Sequence, residues 1–267
     1  MKIQILSDLH NEFCRGRRQP VRDIKDVGAD LVVLAGDIDV GVEGVKWAIG
    51  QSERLGRPVV YVCGNHEFYR ECPKELLASI RQISSGTRVH VLENDSFEFG
   101  GVRFLGATLW TDFHGLGVRR EAECISAAGS NIIDFRLIRC HREDGTDVAL
   151  RPTDTASWHA KSVSWLTEQL SKPFAGVTVV VTHHGPSIGC HNYGLHGGPD
   201  AVSTAFWSHL EGIIHPDQVA LWIYGHTHSN LRFEVNGVRV ECNQHGYLED
   251  ARECPGFDFG YVVDVLE

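Results

Sequence analysis

The chain of 267 residues has one methionine, no Cys-x-x-Cys pair among its eight cysteines, and no long apolar run. Stretches such as Leu31–Ala35 stop at five residues, where a spanning helix needs ~20. That excludes a transmembrane helix and sets the expectation of no membrane partner. The cysteines, at 14, 63, 72, 124, 140, 190, 242 and 254, are scattered; they fit neither a disulfide framework nor a zinc ribbon and read as free buried thiols. Behind Lys2 there is no long apolar stretch and no small-residue cleavage site, so the expected location is cytoplasmic. Cationic charge is scarce as well: 25 Lys and Arg face 35 Asp and Glu, a formal net charge of −10. Such a balance repels phosphate backbones and argues against long nucleic acid as a partner. With 42% apolar and 22% charged residues, disorder is excluded too. What the chain does have is fifteen histidines, and their positions carry the argument.

Lys2–Leu6 reads as a strand running into Ser7-Asp8-Leu9-His10. A short helix is expected over 20–28, then a buried strand, Asp30–Ala35, stopped by Gly36-Asp37. Helical spacing over Val42–Leu55, with Gly56 as cap, leads to a third strand, Val59–Cys63, broken by Gly64-Asn65-His66-Glu67. Asp8, Asp37 and Asn65 recur at intervals of 29 and 28 residues, close to the roughly 30 of one strand-helix-strand unit. In open α/β sheets the carboxyl ends of the strands form the binding crevice, so these side chains can converge.

After a helix near Pro73–Ile83, the strands Val89–Leu92, Ser96–Phe99 and Val102–Gly106 read as antiparallel and as the start of a second sheet. Residues 108–152 are the least regular, with a helix expected near 118–128, and read as an insertion or cap over the active face of a single domain spanning 1–267. A helix over Thr153–Leu170, capped by Thr153-Asp154, precedes the strand Val177–Thr182, which ends in His183-His184. Residues 187–200 read as a mobile loop. The strand Gln218–Tyr224 ends in Gly225-His226-Thr227-His228, Asn236-Gly237 signals a hairpin, and Tyr261–Val265 is the last strand.

Five apolar strands therefore stop at residues able to bind a metal: Asp8 and His10, Asp37, Asn65, His183, and His226 with His228. Any one is explained by a turn or a core histidine. Seven together at one sheet edge would be costly to pack without a cation, because carboxylates repel and unpaired imidazoles lose solvation. Oxygen and imidazole donors without thiolate suit manganese, iron, zinc, cobalt or nickel. Seven is too many for one ion, and a central carboxylate such as Asp37 can be shared by two. Paired ions are a known solution for displacement at phosphorus.

The ordered series Asp8-Leu9-His10, Gly36-Asp37, Gly64-Asn65-His66-Glu67, His183-His184 and Gly225-His226-Thr227-His228 resembles the calcineurin-like metallophosphoesterase superfamily. The resemblance implies a four-layer αββα sandwich, two mixed β-sheets face to face with flanking helices. It implies Asp8, His10, Asp37 and His228 on one metal ion and Asp37, Asn65, His183 and His226 on the other, with manganese favoured and iron or zinc as alternatives. His66 would not be a ligand but would face the substrate, protonating the leaving oxygen or stabilising the transition state. The implied activity is hydrolysis of small phosphate esters, nucleotide-like ones included, by a hydroxide bridging the ions. A phosphodiesterase or broad-specificity enzyme is favoured, with a phosphomonoesterase or protein phosphatase as the alternative. Gly106–Asp112 and Asp134–Ile138 resemble an uncharacterised bacterial branch of the superfamily. Where that branch commonly carries Asn-Pro-Arg-Gly-Tyr, this chain has Asn243-Gln244-His245-Gly246-Tyr247.

Around this set, His184 is expected to orient its neighbour, with contact to phosphate as the alternative, and Glu67 to act as a cap or as a carboxylate supporting the donors. Trp110, Asp112 and His114 are balanced between pocket and packing, and Asn243 between a hairpin cap and an inward role. His191 and His196 are expected in solvent, and the Arg17-Arg18 pair at the surface. A barrel amidohydrolase would place its His-x-His motif at the first strand and need eight strand-helix units. A non-catalytic scaffold on the same fold would have lost donors, and all seven are here.

Overall fold

The computed structural model describes residues 1–16, 20–141, 144–193, 197–247 and 254–265. Arg17, Arg18 and His196 lie outside them. Strand β1 (Lys2–Leu6) is followed by the short helix α1 (Asn11–Gly16), β2 (Leu31–Ala35), α2 (Glu43–Leu55), β3 (Val59–Val62), α3 (Pro73–Ser84) and β4 (Val89–Val91). Helix α2 ends on Gly56 at φ 65°, the left-handed turn that glycine adopts without a Cβ penalty. No helix forms over 20–28. Ile24 N–H donates to Gln51 Oε1 at 2.9 Å, and Gln4 Nε2 donates to the Lys25 carbonyl at 3.0 Å. Side chains from α2 and β1 thus take backbone groups that helical bonds would have used.

Next come β5 (Asp95–Phe99) and β6 (Val102–Ala107), then α4 (Glu121–Asn131), α5 (Asp134–Leu137), the hairpin β7 (Arg139–His141) with β8 (Asp147–Ala149), and α6 (Pro152–Ser171). Arg151, not Thr153, is the N-cap of α6, and Asp154 accepts from its N–H at 3.0 Å. The remaining strands are β9 (Val177–Thr182), β10 (Leu221–Ile223), β11 (Phe233–Val235), β12 (Val238–Glu241) and β13 (Val262–Asp264). Between β11 and β12, Asn236 and Gly237 at φ 51° and 85° form the expected tight hairpin turn. Of the loop expected over 187–200, Ile188–Cys190 is a 3-10 turn with Cys190 buried.

Two mixed sheets result, ordered β13-β1-β2-β3-β4 and β11-β12-β10-β9-β6-β5. The first is parallel from β1 to β4 and the second from β12 to β6, with antiparallel strands at the edges. β4 pairs with β3 and so completes the first sheet; it does not start the second. Alternation along each strand builds three apolar layers. Ile3, Ile5, Val33, Val60, Phe104, Val179 and Ile223 fill the space between the sheets. Leu34, Tyr61 and Ile80 lie with the helices outside the first sheet, and Leu105, Val180, Trp222 and Leu166 outside the second. This is the expected α/β sandwich of two mixed sheets with flanking helices. No helix among the described residues is long and apolar enough to cross a membrane.

Candidate metal centre

Parallel strands bring their carboxyl ends to one edge of each sheet, and the two edges face each other. Asp8 and His10 follow β1, Asp37 follows β2, Asn65 follows β3, His183 follows β9, and His226 and His228 follow β10. All seven side chains meet there. One donor atom from each of Asp8, His10 and His228 lies within 4.8 Å of the others, and the same holds for Asp37, His183 and His226 and for His10, Asp37 and His66. Asp37 belongs to two of these groups: its Oδ1 is 3.4 Å from His183 Nε2, and its Oδ2 is 3.8 Å from His10 Nε2. Asn65 Oδ1 is 3.0 Å from His183 Nε2, and Asp8 Oδ1 is 3.3 Å from His228 Nε2.

The far side of several donors is fixed. His183 Nδ1–H donates to the Ala35 carbonyl at 2.9 Å, turning Nε2 inward. His10 Nδ1 does the same with Glu12 Oε1 at 3.1 Å. Asn65 Nδ2 donates to Asp134 Oδ1 at 3.0 Å, which leaves its amide oxygen facing the centre. Gln244 Oε1 accepts from His228 N–H at 2.7 Å, while its Nε2 donates to Thr227 Oγ1 and the Ser229 carbonyl, clamping the His-Thr-His loop. Glu67 is wholly buried and accepts from the N–H groups of Asp37, Ile38 and Gly64 and from Tyr61 Oη, tying the β2 and β3 ends together.

Glycine opens the space. A Cβ on Gly36 would strike His183, one on Gly64 would strike the Asp37 carboxylate, and one on Gly225 would lie 2.8 Å from Asp8 Oδ2. The glycine before each donor in Gly36-Asp37, Gly64-Asn65 and Gly225-His226 is there for close approach.

These residues fit cations by their own chemistry. With Nδ1–H of His10 given to Glu12, its Nε2 lone pair points at His228 Nε2 only 3.1 Å away, an arrangement that a shared positive charge satisfies. Burial works to lift Asp37, yet His183 and His66 hold it well below the usual carboxylate range. Burial works against charge on His183, yet Asp37 raises it to about 10. Neighbouring His184 goes the other way. Burial and the charge on His183 push it down to about 3, so it stays neutral, with Nδ1–H on the Thr108 carbonyl and its ring 4.2 Å from that of His226. Its ring thus packs against His226.

His66 stands at the edge of the group, its Nε2 3.9 Å from Asp37 Oδ2 and 3.2 Å from Tyr247 Oη. Its Nδ1 is held by Glu12 Oε1 at 2.9 Å. Burial opposes its charge, but Asp37 and Glu12 raise it to about 9. Glu12, shared by His10 and His66, is lowered to about 2: burial lifts it, and bonds from the two imidazoles outweigh that.

Elsewhere the structure decides what spacing left open. Trp110 is buried against Phe68, Trp158 and His184, a packing role. Asp112 accepts from His114 N–H within its own loop and from Ser208 Oγ, 96 residues further along the chain. Asn243 points inward, bonding Ile5 and Asp258. His191 is not in solvent; it is half-buried between Tyr193 and Phe206, and Phe206 stacks on His226. Sequence reasoning missed Glu12, Tyr69, Asp134 and the holding role of Gln244. The cue for Glu12 was its place two residues after His10. Asp134 lies 69 residues from the amide it orients, and no local pattern announces it.

A family model described as calcineurin-like phosphoesterase matches residues 1–230. An uncharacterized protein of Acanthamoeba polyphaga mimivirus is 25% identical over 269 residues, covering 93% of this chain and 92% of that one. Among solved structures, phosphopantetheinyl hydrolase from Mycobacterium tuberculosis is similar in fold, with a TM-score of 0.68 at 18% identity, covering 99% of this chain and 95% of that one. The matched stretch holds every donor-bearing strand end, and the chain belongs to the calcineurin-like phosphoesterase family, whose members are metal-dependent hydrolases of phosphoesters.

Proposed function

We propose that this chain hydrolyses small phosphate esters, diesters or a broad range of them, with two metal ions held by the strand-end donors. One observation carries the reading: seven oxygen and nitrogen donors from five separate segments meet at the facing sheet edges, with Asp37 between the two groups. Asp8, His10, Asp37 and His228 would hold one ion, and Asp37, Asn65, His183 and His226 the other. Manganese suits this donor set, as do iron and zinc. When bound, the ions would supply an acidified water and positive charge for the phosphoryl oxygens.

The protein's own groups do the rest. His66, outside the donor set and oriented by Glu12, presents Nε2–H beside the centre. As water adds to phosphorus and loses one proton to solvent, the bond to the ester oxygen breaks and His66 Nε2 gives its proton to the departing alkoxide, which leaves as the alcohol. A general acid in this position contributes about 10²- to 10⁴-fold. We read residues 1–267 as one domain in which 108–152 caps the site; Asp134, from that segment, reaches Asn65.

Metal analysis of the purified protein, with hydrolysis of a chromogenic phosphodiester and monoester, tests the reading. Two ions per chain and turnover are expected. His66→Ala should keep both ions and lose at least about 100-fold in kcat. An unchanged rate with full metal content would remove His66 from the chemistry.

A further inference from the structure

Beside His66 opens a cleft of about 430 Å³ walled by Phe13, Val40, Tyr69, Ile133, Leu137 and Tyr247. That size is ordinary for a small-molecule site. Its walls keep large apolar side chains in contact with water, with Ile133 47% and Tyr247 44% exposed. Most polar groups along it are already engaged, and Glu12 Oε2, which has no hydrogen-bond partner among the described residues, is buried away from the cleft surface. Glu12 Oε1 is shared by His10 and His66. Tyr69 Oη donates to Asp134 at 2.7 Å, and Tyr247 Oη lies on His66 Nε2. Among the described residues, Arg70, exposed at the rim, is the one charged group open to a polar ligand. A sugar or nucleobase seated here would exchange water for partners the walls do not offer, whereas a hydrocarbon would gain by leaving water.

Position ties the cleft to the chemistry. His66 forms part of its wall and also lies 3.9 Å from Asp37 Oδ2, so an ester whose phosphorus sits over the donors would extend its organic side into this space. We propose that the cleft binds the alcohol portion of the substrate, and that the site prefers phosphate esters of apolar alkyl or aryl alcohols over nucleotides. The proposal rests on the metal phosphoesterase reading above.

The test uses phosphonates, which bind but are not hydrolysed. Calorimetric titration of the manganese-loaded protein with methyl-, butyl- and hexylphosphonate should show affinity rising about two- to fourfold per methylene. Hexylphosphonate should then bind at least about 30-fold more tightly than methylphosphonate, and the 5′-phosphonate of adenosine no better than methylphosphonate. Ile133→Asp, at an exposed position, should flatten the series. Val118→Asp, at a 67% exposed residue outside the cleft, should leave its slope as in the parent. Equal affinity along the series, or tighter binding of the nucleoside phosphonate, overturns the role of the cleft while the phosphoesterase reading stands. Failure of every phosphonate to bind, together with no ester hydrolysed, overturns both.

Discussion

Five of the seven donor residues are held with the backbone in the left-handed region: Asp8 at φ 55°, His10 at 47°, Asp37 at 54°, His226 at 71° and His228 at 46°. Such a conformation costs a non-glycine residue about 1–3 kcal/mol. Here it turns each side chain off the strand line and into the space between the sheets. Hydrogen bonds keep it so: Asp8 N–H to the Gly36 carbonyl, His10 N–H to the Asp37 carbonyl, and His226 N–H to Asp8 Oδ1, each at 3.0 Å. The spacing of Asp, Asn and His along the chain made the donor set legible, but nothing in an Asp-x-His string encodes the sign of φ. Glycine is the readable trace of that crowding. Gly64→Ala would push a methyl group onto the Asp37 carboxylate and backbone, an overpacking of about 1–3 kcal/mol. Bound manganese should fall well below two ions per chain and Tm by several degrees, as measured by elemental analysis and calorimetry. Full metal content with a parental Tm would show that the space is not needed. Asp134→Ala tests the support that spacing could not reveal. With only Tyr69 Oη, at 3.3 Å, left to accept from Asn65 Nδ2, metal affinity should drop about 10- to 100-fold in a chelator competition, and undiminished affinity would assign Asp134 to packing alone.

Strands were easier to read than their partners. Short, mostly apolar runs located β1, β2, β3, β6 and β9 to within a residue or two, because strands buried on both faces need nearly continuous apolar side chains. Pairing is a long-range property. The strand at 89–91 carries no mark to say that it extends the parallel sheet rather than opening the next one. The missing helix at 20–28 has the same cause, since Gln4 and Gln51 compete for its backbone from 21 and 27 residues away. Helix α6 illustrates a further tie of this kind. His159, 4% exposed, donates Nδ1–H to the Leu109 carbonyl at 3.1 Å, bracing a segment where Leu109 and Trp110 have φ of 71° and 55°. Burial lowers its pKa. Stability from keeping this ring neutral is therefore fully present above the unfolded value of about 6.5 and is lost as pH falls toward the folded one, because the unfolded chain takes up a proton that the folded chain refuses. His159→Gln, whose amide can make the same donation, should flatten the decline of Tm between about pH 7 and 5. An acid limb as steep as the parent's would mean that another group sets it.

At the scale of the molecule, the centre is where two sheets are joined by polar rather than apolar contact. The first sheet contributes Asp8, His10, Asp37 and Asn65, the second His183, His226 and His228. Between them the chain itself supplies a few crossing bonds, such as His226 N–H to Asp8 and His183 to the Ala35 carbonyl. Two carboxylates, Asp8 and Asp37, are buried to within 1% of full enclosure at this seam, and cations held between them and the facing imidazoles would clamp both layers. Because such ions bind only when residues 8 through 228 are in place, their binding energy adds to folding energy. At a free metal concentration 100 times Kd the gain is about 2.7 kcal/mol per ion, and a chain of this size shifts about 2 °C in Tm for each kcal/mol. Manganese should therefore raise the melting temperature by at least about 5 °C over chelator-treated protein. Asp37→Asn weakens the one carboxylate that both ions would share, so its melting curves with manganese and with chelator should nearly coincide. If Asp37→Asn gains as much from manganese as the parent, the ions act elsewhere, and the seam is held by the protein alone.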